Sequence, residues 1–312
     1  MDRIKEYIKS TPFSEYEVSV ASADASFRKY YRLKNTSESL IFMDSSLEKD
    51  SLVPFVDITS RLLDAQVDAP KILYKDMKMG YLILEDFGER HYLDVLDASN
   101  FKELYKKAIE CIIKMQDAKV DALPLYDKDF LHFEMDLMEE WYISKLLNKP
   151  LNTAQKEILQ TSLDAISKVN LSQMQNIFVH RDFHSRNILL RDDEKIGVID
   201  YQDAMCGGVT YDLVSLLKDC YIEFKREDIE ELALYFRDRK NLKVSDAEFL
   251  KYFDFMGMQR HIKVLGVFAR LYLRDSKDGY LKDIPLTLKY LLDASKRYDE
   301  TKELYKLLKG LQ

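Results

Sequence analysis

"HRDFHSRN" occupies residues 180–187, and "IDYQD" follows at 199–203. Between them runs "ILLRDDEKIGV", two apolar stretches around an acidic turn. That pattern predicts a short hairpin, with strand-like runs at "ILL" (188–190) and "IGVID" (196–200). The hairpin returns Asp200 to the side of Asn187. "IFVH" (177–180) is another strand-like run and leads into the loop that carries Asp182. One tight polar segment therefore gathers Asp182, Asn187 and Asp200. His180 and His184 stand one helical turn apart, a spacing that zinc proteins use. The zinc-helix pattern needs a glutamate directly after the first histidine, and Arg181 stands there instead. His180 is read as an orienting or buried residue. His184 stays open between a supporting role and the surface.

These residue types suit phosphoryl transfer. That reaction asks for a positioned acceptor hydroxyl and for cations that neutralise phosphate charge. Asp182 can accept or orient a hydroxyl proton. The amide oxygen of Asn187 and the carboxylate of Asp200 are hard oxygen ligands, and Mg²⁺ needs few of them once nucleotide phosphates and water complete its shell. A lone H-R-D is a weak signal. H-R-D-x-x-x-x-N followed by I-D after a hairpin is a strong one.

The chain has 312 residues, enough for two lobes with a sizeable core. Its composition, 46% hydrophobic and 32% charged, is that of an ordinary globular protein. A formal charge of −7 argues against a nucleic-acid partner. No apolar run reaches membrane-spanning length, and "MDRIKEYIKS" lacks a signal-peptide core, so no membrane association is expected. Cys111, Cys206 and Cys220 show neither metal nor redox spacing, which fits a reducing cytoplasm.

Along the chain, strands are expected at 16–20, 27–33, 39–44, 71–74 and 80–86, with a helix over 51–66. "EDFGER" (85–90) is the boundary, where Gly88 breaks the last strand. Beyond it the periodicity is helical, with a long run over 247–273. In "CGGVTYDLVSLLKD" (206–219), Thr210 reads as a helix cap, and Asp212 as a structural residue that caps or braces the loop. Trp141 shares a helical stripe with Phe133 and Leu137 and is assigned to core packing.

"VHRDFHSRNILL", "GVIDYQDA" and "TYDLVSLL" together resemble the aminoglycoside phosphotransferase-like kinases, which include choline and small-sugar kinases. "ADASFRKYYRL", "GYLILEDFGERHYLDVL" and "QRHIKVLGVFARLYLRDSKDGYL" look like one branch, the bacterial anomeric kinases of N-acetylmuramate and N-acetylglucosamine that serve cell-wall recycling. The resemblance covers nearly the whole chain. It implies an α+β, two-lobed protein-kinase-like fold with ATP in the cleft. Residues 1–88 would form a small antiparallel-sheet lobe that binds nucleotide, and 89–312 a larger helical lobe that holds the acceptor. It makes Asp182 the catalytic base and Asn187 and Asp200 the Mg²⁺ ligands. Leu84 to Phe87 would be the hinge, with Glu85 and Phe87 meeting adenine.

The departures shape further expectations. Asp200 and Asp212 stand too close for a protein-substrate platform, so a small molecule is the acceptor. The loop "ASADAS" (21–26) has no glycine, and Ser22 and Ser26 are candidate phosphate donors. The third strand carries Met43 or Asp44 where a lysine is expected. Arg28 is the candidate replacement, Arg32 its alternative, and a solvated strand face the plain reading of both. For the acceptor, Asp136, Glu140 and Asp203 offer carboxylates to sugar hydroxyls or amines. Arg186, Arg260, His261 and Lys263 offer positive or polar groups to a sugar acid, arginine being best suited to a bidentate contact. Two other outcomes stay open: a kinase of an aminoglycoside, choline or another sugar, and a nucleotide-binding pseudokinase. Retention of Asp182, Asn187 and Asp200 speaks against the second.

Overall fold

The structure is a computed structural model that describes residues 1–22 and 28–312. In chain order its elements begin with α1 (Asp2–Lys9), β1 (Glu17–Ser22), β2 (Lys29–Lys34), β3 (Ser39–Asp44), α2 (Leu52–Asp64), β4 (Ile72–Asp76) and β5 (Tyr81–Glu85). Then come α3 (Tyr92–Val95), α4 (Phe101–Met115), α5 (Lys128–Leu137), α6 (Thr153–Ser172), β6 (Ile177–Val179), β7 (Ile188–Leu190), β8 (Ile196–Val198) and β9 (Met205–Gly207). Last are α7 (Tyr211–Leu217), α8 (Arg226–Arg239), α9 (Asp246–Asp275), α10 (Ile284–Ser295) and α11 (Lys302–Gly310). The fold is α+β, and its elements fall into two compact units. One contains Met1–Tyr92 and Asn187–Asp203, the other Leu93–Arg186 and Ala204–Gln312.

The first unit is built on a five-stranded antiparallel sheet of order β1-β2-β3-β5-β4. Side chains alternate along a strand, so Tyr31 and Leu33, Leu40 and Phe42, and Tyr81 and Ile83 share one face. Ile4 and Ile8, one turn apart on α1, bury against them. Strand β5 is buried from Tyr81 to Leu84, as expected of a central strand with both faces covered. Helix α2 buries Leu52, Phe55, Ile58, Thr59 and Leu62 at helical spacing. β7 and β8 form the expected hairpin of this unit, with Ile188 opposite Val198 and Leu189 opposite Gly197.

Helix α9 is the axis of the second unit. Ser245 caps it by accepting the N–H of Glu248, and almost every residue from Phe253 to Ala269 is buried. It packs against α5, α6, α7, α8 and α10. The apolar stripe assigned to Phe133, Leu137 and Trp141 is not the buried one: Phe133 is 63% exposed and Trp141 lies under the Lys145 ammonium. Helix α5 turns Leu131, Glu134 and Met135 inward instead, and from Met138 to Leu146 the chain widens into π-helical turns that shift the register. Thr210 also departs from expectation. Its hydroxyl donates to Gln173 Oε1 at 2.7 Å and makes no side-chain cap for α7, because the buried glutamine competes for it.

One buried ionic cluster ties this unit together. The Asp254 carboxylate on α9 is fully buried. It accepts from Lys218 Nζ at 2.7 Å, from Arg226 Nη1 and Nη2 at 2.6 and 2.9 Å, and from Tyr298 Oη at 2.9 Å. Burial opposes its ionisation, but Lys218 and Arg226 outweigh burial and hold the carboxyl far below the usual range. A carboxyl depressed by folding adds stability above its unfolded pKa and loses that contribution as pH falls through the folded value. Asp254→Ala strands a buried lysine, and urea titration at pH 7 is expected to show a loss of about 3–5 kcal/mol.

Candidate active site

The loop after β6 is set by one acceptor. The Asp212 carboxylate on α7 takes the backbone N–H of His180 at 2.8 Å through Oδ2 and that of Arg181 at 3.1 Å through Oδ1. Arg181 lies at φ 79°, a left-handed conformation that a non-glycine residue keeps only when its surroundings hold it. Its guanidinium donates to Glu134 Oε1 at 2.6 Å. The next residue, Asp182, donates its backbone N–H to His180 Nδ1 at 3.2 Å and keeps its side chain 41% exposed. Arg260 stands 3.6 Å from that carboxylate and also donates to the Arg181 carbonyl at 3.3 Å. Burial alone would raise the Asp182 carboxyl. Lys263, Arg260, His184 and Arg181 outweigh burial and hold it far below the usual carboxylate range.

Glu134 was not legible as a site residue, yet it lies at the centre of this electrostatics. It is 3% exposed and pairs with Arg181 and with Lys263, the latter at 3.1 Å. It also accepts from Tyr126 Oη and from Gln259 Nε2. A carboxylate beside Leu131 and Met135 on the apolar side of a helix is the signal that marks it. Asp136 and Glu140 are turned outward, and Glu140 pairs with Lys145 at 2.6 Å. His261 is wholly buried, with Nε2 3.0 Å from the Lys218 carbonyl and its ring stacked on Tyr290. Burial pushes it down to about 3, so the ring is neutral, and it packs α9 against α10. Arg186 lies over the ring of Tyr221 at 3.5 Å.

In the first unit, the register of β7 and β8 brings Asn187 and Ile199 together, and the Ile199 N–H reaches the Asn187 carbonyl at 3.1 Å. Asp200 follows at φ 64° and accepts from Asn187 Nδ2 at 3.3 Å and Gln202 Nε2 at 3.0 Å. Tyr201 anchors this turn. Its buried hydroxyl meets Thr59 Oγ1 at 2.9 Å, and its ring packs on Phe55 at 5.2 Å. Asp200 and Asn187 form a hard-oxygen pair around which amide donors now gather, a donor set that fits Mg²⁺ with phosphates and water supplying the rest. Asp203 is exposed and accepts from Gln202.

Met43 is buried in the sheet and Asp44 pairs with Arg3 at 2.7 Å, so neither offers a cation. Arg28 does. It is 7% exposed, its guanidinium lies 5.9 Å from the Phe55 ring, and its charge reaches Tyr201, the neighbour of Asp200. Arg32 is committed to Asp86 at 2.7 Å and to Glu89. Ser26 and the side chain of Ser22 lie outside the described residues. At the expected hinge, Arg191 pairs with Glu85 at 3.2 Å and covers the Phe87 ring at 4.4 Å.

The sheet, the braced H-R-D loop and the following hairpin define a kinase-like phosphotransferase. The phosphotransferase enzyme family matches residues 17–244, and the chain belongs to it. It is 36% identical to an N-acetylmuramate/N-acetylglucosamine kinase of Neisseria meningitidis, over 98% of this chain and 94% of that one. It is 37% identical to a protein of the same name from Pseudomonas aeruginosa, over 95% and 88%. Among solved structures, the choline kinase LicA from Streptococcus pneumoniae shares the fold at TM-score 0.67 and 15% identity, over 94% of this chain and 98% of that one. An ADP-bound aminoglycoside phosphotransferase, APH(2'')-Ib, does so at 0.63 and 16%, with the same coverage. Among the described residues, no helix is long and apolar enough to cross a membrane.

Two outcomes are expected. A Cβ on Gly197 would stand 2.3 Å from Phe87 Cδ2, so Gly197→Ala must displace the ring. The KM for ATP is expected to rise about tenfold if Phe87 meets the nucleotide, with the acceptor KM little changed. The second concerns Asp212, whose carboxyl burial raises to about 6 against the opposing pull of His180, the two backbone N–H groups and Arg260. A carboxyl raised by folding favours the fold below its unfolded pKa, and that contribution is lost as pH rises through 6, so its ionised form serves the loop at some expense of stability. Turnover at saturating substrates is expected to fall as pH drops through about 6, and this limb should vanish in Asp212→Asn.

Proposed function

We propose that the chain is an ATP-dependent sugar 1-kinase of the cytoplasm that phosphorylates the anomeric hydroxyl of N-acetylmuramate and N-acetylglucosamine. The observation that carries this reading is the full-length likeness, at 36–37% identity, to kinases so named, together with Asp182 held ionised by its cations. Asn187 and Asp200 would hold Mg²⁺, which when bound neutralises charge on the transferred phosphoryl group. Arg28 is the cation of the described residues best placed to take the phosphate role of the lysine that the third strand lacks.

Asp182 is a weak base, because Arg260 and Lys263 stabilise its ionised form. A weak base suits a loose transition state, in which the hydroxyl is oriented first and gives up its proton late. It also suits an anomeric hydroxyl, whose ring oxygen draws charge from the developing oxyanion and makes it more acidic than other sugar hydroxyls. Polycationic acceptors would meet Arg260, Lys263 and Arg181 around Asp182, an arrangement that disfavours them.

The test compares both free sugars with their methyl glycosides, with ATP consumption as the readout. The free sugars should give an acid-labile 1-phosphate and the glycosides should be inert. Asp182→Asn should lose about 10²–10⁴-fold in kcat while still binding nucleotide. Phosphorylated glycosides would remove the anomeric assignment, and turnover confined to choline or aminoglycosides would replace the acceptor.

A further inference from the structure

Two carboxylates, Asp182 and Glu134, share one set of cations. Burial opposes the charge of Asp182, and Lys263 is the strongest of the cations that favour it. Yet Lys263 is engaged elsewhere. Its Nζ lies 3.1 Å from Glu134 Oε1 and donates to Tyr211 Oη at 3.2 Å. Arg181 Nη2 donates to the same Glu134 oxygen at 2.6 Å, while Gln259 Nε2, at 3.1 Å, and Tyr126 Oη donate to the other. Arg260 follows Gln259 on α9 and stays 3.6 Å from Asp182, outside hydrogen-bond reach. Helix contact sets this pairing. On α5, Leu137 stands three residues beyond Glu134, and on α9, Gly266 stands three residues beyond Lys263. A Cβ on Gly266 would lie 2.6 Å from the Leu137 carbonyl oxygen. Glycine there lets the helices close until a lysine of one reaches the glutamate of the other.

We propose that Glu134 is a positioning residue for phosphoryl transfer: it holds Lys263 and Arg181 back from Asp182, so that the base meets the acceptor hydroxyl instead of closing an ion pair with its own cations. This rests on the proposed role of Asp182 as the base. A buried cation gains most from the carboxylate it can touch, because attraction in a poorly screened interior rises steeply as the charges approach. With Glu134 neutral, the carboxylate on which Lys263 and Arg181 already bear is Asp182. A contact pair there would occupy the oxygen that the hydroxyl needs. Held at a distance, the same cations stabilise the ionised base through their field without covering it. Glu134 is 3% exposed and reaches neither substrate, so it acts through Lys263 and Arg181.

The test measures kcat and the KM for ATP with N-acetylglucosamine and N-acetylmuramate, well below each variant's melting temperature. The variants are Glu134→Gln and Glu134→Asp, each alone and combined with Lys263→Met. Glu134→Gln is expected to lower kcat about 10–100-fold with the KM for ATP little changed. Adding Lys263→Met should recover most of that loss, because no lysine remains to close on Asp182. Glu134→Asp keeps the charge but withdraws it by one methylene, and its kcat should fall between. A role confined to stability would lower the melting temperature and give the second substitution no reason to restore turnover in folded protein. Melting curves identify a variant that fails to fold, and if Glu134→Gln does, the Glu134→Asp pair decides. Wild-type kcat in folded Glu134→Gln, or a kcat loss that Lys263→Met leaves in place, overturns the positioning role and leaves the kinase reading intact. Wild-type inactivity on both sugars, or full turnover in Asp182→Asn, overturns both.

Discussion

The backbone N–H groups of His180 and Arg181 both end on the carboxylate of Asp212. Where β6 stops, these donors lose their strand partners, and a buried donor left unpaired destabilises by about 1–3 kcal/mol. One carboxylate with an oxygen for each answers both, and in doing so it holds Arg181 in a left-handed turn. That turn sends the Arg181 side chain to Glu134 and leaves the following residue, Asp182, facing outward. The direction of the candidate base is therefore set from behind, by a residue that does not reach the reacting atoms. Asp219 repeats the device at Ser185.

Charge around the loop is arranged in layers. Arg181 and Lys263 face the buried Glu134, which compensates them, while Arg260 leans on Asp182. Removing Glu134 would leave buried cations without a partner, a penalty larger than the net worth of the pair. With it in place, the cations can lower the Asp182 carboxyl without threatening the fold. A base made weak in this way is suited to orienting a hydroxyl that is itself acidic, which joins the electrostatics to the anomeric chemistry proposed.

In the first unit the same economy places Asp200. The hairpin of β7 and β8 sets its approach to Asn187, and Tyr201 fastens the turn to Thr59 and Phe55 of α2. Arg28 joins the same aromatic pair, so a buried cation and a candidate metal ligand share one support. At the other end of the hairpin, Gly197 lets Phe87 lie against the strand, and Arg191 closes over it.

Local pattern carried most of the architecture. The alternation of β2, β3 and β5, the periodicity of α2 and α9, and the turn between β7 and β8 each depend on neighbours in sequence, so the elements were legible there to within a few residues. The motif residues Asp182, Asn187 and Asp200 were legible for the same reason, since their spacing is itself the signal. What the sequence could not settle were choices made by partners distant along the chain. Glu134 rather than Asp136 turns inward because α5 presents Leu131, Glu134 and Met135 to the interior. Arg32 is claimed by Asp86 and Glu89, whereas Arg28 lies against Phe55 beside Tyr201. Thr210 yields its hydroxyl to Gln173, and His261 is consumed by packing between α9 and α10. A charged or polar side chain takes the best partner within reach, and only tertiary structure decides what is within reach.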